Sequence, residues 1–266
     1  MEFYSTHLLI FLLALLRIGG LVLLVPLAGP GRVGLPLRGM LAVILALLVA
    51  PLGDPQSLEP LLADGSELIV AACREAVLGL VLGTVVLVLI GSLRAGGHLV
   101  GQLSGMSLAE LAGEDGSGHG YGRLFEMVGI AAFLLTGGHR RVLAALLDTF
   151  RWMPPGEVGF SNGPVQVLLQ VAGQGFQLTV RATAPVLVAL LLSALVLGIL
   201  QRVIPQLNTL SLGFSANTVG VLAVVALTLG GIAWNFQNQL EIALDRAGQA
   251  VQRQVAVEPN REAPHD

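Results

Sequence analysis

The side chains in this sequence that are able to do chemistry are few and scattered. The five histidines stand at positions 7, 98, 119, 139 and 265, and no two have a spacing that suits a shared metal ion. The single cysteine, Cys73, excludes an internal disulfide framework and a cysteine-based zinc site. No Ser/His/Asp set and no paired carboxylates stand out, so the sequence asks for no enzyme, metal or cofactor. The loop Gly116 to Gly122 has the glycine content of a phosphate cradle. It lacks the lysine and the following Ser/Thr, and Glu114 and Asp115 beside it repel phosphate. Arg181 and Arg202 are each followed by a proline, Pro185 and Pro205. One reading makes them the substrate site of a transporter built on broken helices. The favoured reading is structural, each cation capping carbonyls or meeting an acid on a partner chain. Gln166, Gln170, Gln174 and Gln177 recur at helical spacing and share one face. That face is either a polar interface or hydrated lumen, or a solvent-facing stripe. Both readings exclude a helix surrounded by lipid. Gly97, Gly101 and Gly105 repeat every fourth residue and make a flat face for close helix packing, whereas Gly79 and Gly83 share that spacing once only, which chance among 34 glycines accounts for.

The elements that carry these residues are apolar. Of 266 residues, 54% are hydrophobic and 12% charged, with a mean hydropathy of +0.80. Soluble chains carry roughly 25% charged residues, too many for this one to match. Disorder is excluded by the same apolar content. A net charge of −3 leaves no basic footprint for nucleic acid. All fourteen basic residues are arginine, a sign of genome base composition. With no basic stretch before Leu8, a cleavable signal peptide is not expected. An all-α membrane protein, or a subunit buried in a membrane-associated complex, is what remains.

Apolar runs cover Leu8 to Leu27, Met40 to Leu52, Ala76 to Leu93, Met127 to Gly138, Val142 to Phe150, Val158 to Val180, Ala182 to Leu200 and Val203 to Leu240. Several fall short of the roughly 20 residues that span a bilayer. Others are broken by proline, and three contain or adjoin Arg17, Arg181 or Arg202. A charge in hydrocarbon costs several kcal/mol, which places these arginines against protein or a water-filled path. Arg32 and Arg38 point to a cytoplasmic loop. The segment from Glu241 to Asp266 is polar, helical first and disordered at its end.

Eight short strings give the chain a resemblance. Leu134-Leu135-Thr136-Gly137-Gly138-His139, Leu146-Leu147-Asp148-Thr149-Phe150 and Met153-Pro154-Pro155-Gly156 resemble the middle of the FliR/SctT family of type III export-gate proteins. Ala184-Pro185-Val186-Leu187, Leu197-Gly198-Ile199-Leu200-Gln201-Arg202-Val203-Ile204-Pro205-Gln206-Leu207-Asn208 and Leu212-Gly213-Phe214 are similar to its C-terminal part. Leu15-Leu16-Arg17-Ile18-Gly19-Gly20 with Pro26, and Ala50-Pro51-Leu52, fit its N-terminal part. The match runs in order along nearly the whole chain, and the Gly-Gly-His string favours the flagellar over the injectisome branch.

The resemblance implies an all-α fold of kinked helical hairpins in a FliP/FliQ/FliR-type export gate. Residues 1–160 are then FliP-like, 161–240 a FliQ-like hairpin and 241–266 a polar tail. The partners implied are FliP, FliQ and FlhB, unfolded export substrates and membrane lipid. The implied place is the bacterial inner membrane, at the flagellar basal body. A loop of the family plugs the lumen, and it maps to about 105–122. Its members here are Gly105, Met106, Ser107, Leu108, Leu111, Gly113, Glu114, Asp115 and Gly116. The family commonly has Asp-Pro in that loop, whereas Asp115 is followed by Gly116. Arg17, Gly97, Gly101, Gln170, Gln174, Arg181, Pro185, Arg202 and Pro205 are expected at structural or interface positions.

Overall fold

The computed structural model describes residues 2–25, 34–52, 65–104, 119–156, 163–203 and 209–257. Among them are seven α-helices and no strand: α1 (Glu2–Leu24), α2 (Leu35–Val49), α3 (Gly65–Leu103), α4 (His119–Leu135), α5 (Gly138–Trp152), α6 (Gly163–Val203) and α7 (Thr209–Val257). A 3-10 turn, Ala50–Leu52, follows α2.

Local sequence sets the boundaries of α2 and the break between α4 and α5. Pro36 sits in the first turn of α2, where a missing N–H is harmless, and Pro51 follows its end. Gly137 takes the left-handed conformation at φ 72°, which suits glycine, and separates α4 from α5. Helix α5 differs from the rest in being amphipathic, with Val142, Leu146, Thr149 and Phe150 buried and Arg140 and Arg151 exposed.

Two features depart from the run-by-run reading. Ala76 to Leu93 is only the middle of the 39-residue α3, whose Gly79, Gly83, Gly96 and Gly97 lie tight against neighbouring groups. The runs on either side of Arg181 are one helix of 41 residues that continues through Pro185. Proline inside a helix costs about 3 kcal/mol. Burial of Ala182, Thr183, Val186 and Leu190 around it holds the helix together.

The chain divides into two compact units. One comprises residues 1–88, 137–172 and 240–266, and the other residues 89–136 and 173–239. In the first, α2 packs on α1 through Ala42, Ala46 and Val49, while Leu9, Ile10 and Leu13 of α1 gather around Ala71 of α3. The end of α7 belongs here too, burying Ala243, Leu244 and Ala247. In the second unit, Leu89 and Leu93 of α3, Phe125 and Phe133 of α4, Leu178 and Val186 of α6, and Val225 and Phe236 of α7 are buried. Phe133 and Phe236 meet edge to face at 6.5 Å.

Stretches of α1, α3, α6 and α7 are long and apolar enough to cross a membrane. The bent α4–α5 pair makes a fifth if counted as one span. The 15 residues of α2 are too few.

Candidate functional site

The buried face of α1 is read off its spacing: Ile10, Leu13, Ala14, Arg17, Ile18 and Leu21 fall at intervals of three and four. Arg17 occupies a position at which the pattern calls for a hydrophobe. On α3, Ala71, Glu75, Leu78 and Leu82 form the facing stripe, and Glu75 is its exception. The two exceptions meet. The Arg17 Nε–H donates to Glu75 Oε2, and an Nη2–H donates to Glu75 Oε1 at 2.9 Å. Both side chains are 0% exposed. This is the planar, two-point pairing to which a guanidinium is suited.

The remaining donors and acceptors are met by the end of α5 and the turn after it. Arg17 Nη1 donates to the Met153 carbonyl at 3.1 Å and, at 3.4 Å, to the Thr149 hydroxyl. That hydroxyl donates in turn to the Leu146 carbonyl. The Phe150 ring lies under the guanidinium, its centroid 4.3 Å from Cζ. The Gly156 N–H donates to Glu75 Oε1 at 3.0 Å. Gly156 has φ 98°, a conformation that side chains rarely adopt, so glycine is required to aim that N–H. One cation and one carboxylate therefore tie α1, α3, α5 and the Pro154-Pro155-Gly156 turn to a single point.

Close approach of the backbones brings the pair together. A Cβ on Gly79 would overlap the carbonyl of Arg17 itself, and one on Gly20 would lie 2.9 Å from the Leu80 nitrogen. Gly83 meets the Leu21 carbonyl in the same way, at 3.0 Å. The arrangement holds three helices and a turn together. Two buried charges are neutral together, and each is costly without the other.

The other residues singled out from the sequence do not join this site. Gly97 and Gly101 are buried in α3, and a Cβ on Gly97 would strike the Tyr121 carbonyl. Gly105, Met106, Ser107, Leu108, Leu111, Gly113, Glu114, Asp115, Gly116 and Pro205 lie outside the described residues. On α6, Gln170 is exposed, Gln174 is buried with neither side-chain polar atom partnered among the described residues, and Pro185 is half-buried. Arg181 and Arg202 are exposed. Within this chain they face outward, unlike Arg17, so the three arginines are not equivalent. Among the described residues no group of three or more metal-ligating side chains occurs.

Glu75, Thr149, Phe150, Met153 and Gly156 receive no site role from the sequence, although the last four stand in the strings that carry the resemblance. The available signal was two charges of opposite sign, each inside an otherwise apolar helical stripe. A cavity of about 350 Å³ also opens between α5 and the end of α7, lined by Leu82, Arg141, Asp148, Trp152 and Asp245 among others. Arg141 and Glu241 pair at its edge, both partly exposed.

Comparison with known proteins places the chain in a family. The sequence model of the family described as "Bacterial export proteins, family 1" matches residues 8–243. The chain belongs to that family. It is 25% identical to the flagellar biosynthetic protein FliR of Caulobacter vibrioides over 249 residues, which are 92% of this chain and 99% of that one. It is 27% identical to FliR of Escherichia coli over 161 residues, 59% of this chain and 61% of that one. The secretion system apparatus protein SsaT of Salmonella typhimurium is 22% identical over 219 residues, 81% and 85% of the two chains. The matched residues take in all of the node, from Arg17 through Gly156.

Proposed function

We propose that this chain is the FliR-type subunit of a flagellar type III export gate, assembling with FliP and FliQ into the channel for unfolded flagellar proteins. The observation that carries the reading is the end-to-end likeness to a FliR protein, covering 99% of that relative. The apolar surface of the single chain supports it. Leu191, Leu195 and Ile199 on α6 and Leu222 and Leu227 on α7 are all exposed, and they need lipid or neighbouring subunits to cover them. The role is structural, not enzymatic. The place is the bacterial inner membrane at the flagellar basal body, with FlhB on the cytoplasmic side.

Residues 1–160 act as the FliP-like part, 161–240 as the FliQ-like hairpin and 241–266 as a polar tail. The segment of about 105–122 is the lumen plug: Met106, Leu108 and Leu111 supply bulk, and Gly105 and Gly113 are its hinges. The likeness to SsaT over 85% of that protein favours one second reading, an injectisome export subunit of the SctT type. A secondary transporter is the weaker alternative, because Arg181 and Arg202 face outward on α6 instead of enclosing a substrate.

Co-production decides the matter. Made together with FliP and FliQ, the chain is expected to purify as one complex, and made alone it is expected to aggregate or be degraded. A stable, monodisperse monomer in detergent refutes the assembly role.

A further inference from the structure

The outward stripe of α6 changes character at Arg181. Before it come exposed Gln170, Gly173 and Gln177; after it, at the same helical spacing, come exposed Val188, Leu191, Leu195 and Ile199, ending at exposed Arg202. The twenty residues between the two arginines carry no charge. At 1.5 Å per residue the two positions lie about 32 Å apart along the helix, close to the roughly 30 Å of a bilayer's hydrocarbon. The spacing of the cations is thus the thickness of the apolar layer.

Two further observations fall at the same level. Pro185 has no N–H to give the carbonyl four residues earlier, which is that of Arg181. In hydrocarbon an orphaned carbonyl costs several kcal/mol, whereas at a wet boundary water satisfies it. The second observation comes from α7. Ser193 Oγ and Asn217 Oδ1 are hydrogen-bonded at 2.6 Å, with five residues joining the two helices. Carrying that register along an antiparallel pair sets Arg181 level with Leu229 and Phe176 level with Trp234. Phe176 and Trp234 are each 71% exposed. They lie about 8 Å beyond Arg181, at the depth of the headgroup layer where aromatic belts form.

We propose that the α6–α7 hairpin is held in the bilayer between the levels of Arg202 and Arg181, with its outward leucines against acyl chains, both guanidinium groups on headgroup phosphates, and Phe176 and Trp234 in one interfacial belt. This rests on the reading of the chain as a membrane export subunit and names the part of it that meets lipid. Arg reaching outward to phosphate from an apolar helix is the snorkelling geometry. The first half of α6, with Gln166, Gln170 and Gln177, then stands outside the hydrocarbon.

The test uses the full chain in complex with FliP and FliQ, reconstituted in phosphatidylcholine vesicles. In a Cys73→Ser background, Gln170→Cys, Leu191→Cys and Trp234→Cys each receive a fluorescent label, and signal from the Cys73→Ser parent is subtracted. All three positions are exposed, so the fold tolerates them. Lipids carrying a nitroxide at carbon 5 or carbon 14 of the chain act as quenchers. Leu191, midway between the arginines, is expected to be quenched at least twofold more by the deep nitroxide. Position 234 is expected to show the reverse, and position 170 to be quenched by iodide and by neither lipid. Absence of lipid quenching at 191 in an embedded complex, which means that a neighbouring subunit covers the stripe, overturns the proposal. So does an equal depth at 191 and 234. Co-purification of FliP and FliQ is read on the same sample. If it is lost while the depth pattern holds, the assembly reading falls and the lipid assignment stands. If it holds while the depth pattern is absent, the reverse is true.

Discussion

Replacing Arg17 by methionine removes a cation while leaving its anion in place. Glu75 is 0% exposed and keeps a single described donor, the Gly156 N–H. Breaking a buried pair in this way costs about 3–5 kcal/mol. The Met153 carbonyl also loses the guanidinium donor, and an unsatisfied buried acceptor costs about 1–3 kcal/mol more where water cannot reach it. At about 2–4 °C per kcal/mol for a chain near this size, the charge loss alone lowers the unfolding midpoint by roughly 6–20 °C. Glu75→Leu is expected to do comparable damage by orphaning Arg17. The double variant, Arg17→Met with Glu75→Leu, restores two apolar stripes and is expected to lie closer to the parent than either single variant. The assay is thermal unfolding of the complex in detergent, followed by the fraction remaining monodisperse after heating. If the double variant loses as much as the two singles added together, the residues are not energetically coupled and the node is not what joins these helices.

Gly79→Ala is expected to lower complex yield sharply, since its Cβ overlaps the Arg17 carbonyl, whereas Gly91→Ala on the same helix meets nothing within 4 Å and is expected to be neutral or slightly stabilising; equal yields of the two on co-expression count against the tight α1–α3 contact. Arg141→Ala removes a partly exposed pair with Glu241 and is expected to shift the same thermal midpoint by no more than that of about 1 kcal/mol; a loss as large as that of Arg17→Met contradicts the distinction drawn between the two pairs. Deleting Ser107–Gly118 is expected to leave an assembled but leaky complex, read as ion conductance; an intact seal in an assembled complex removes the plug assignment.

The all-helical character and the long apolar elements were legible because they depend on composition and period, which are local. The break between α4 and α5 was legible from Gly137-Gly138 for the same reason. The merging of two runs across Arg181 and Pro185 was not. Propensity counts a proline and a charge as stops, and tertiary burial of Ala182, Thr183 and Val186 outweighs both. Arg17 was legible as a cation needing protein around it. Its partner was not, because Glu75 lies 58 residues away and only the fold shows which stripe faces which. The Met153 carbonyl and Gly156 N–H are main-chain groups, and side-chain reading has no handle on them.

Three arginines in apolar surroundings looked alike in sequence and are separated by what the backbone allows near them. Around Arg17, Gly20, Gly79 and Gly83 let α1 and α3 close until no water fits, so the cation needs a buried carboxylate and has one. Around Arg181 and Arg202 the helix presents leucine, valine and isoleucine outward. There a long side chain can carry its charge to an interface, so no buried carboxylate is needed. The same residue type thus fixes the inside of one unit and, on the lipid assignment proposed above, marks the outside of the other. Exchanging the roles by charge alone should therefore fail. Arg181→Met leaves no buried anion behind and is expected to alter depth in the bilayer without lowering the unfolding midpoint as Arg17→Met does.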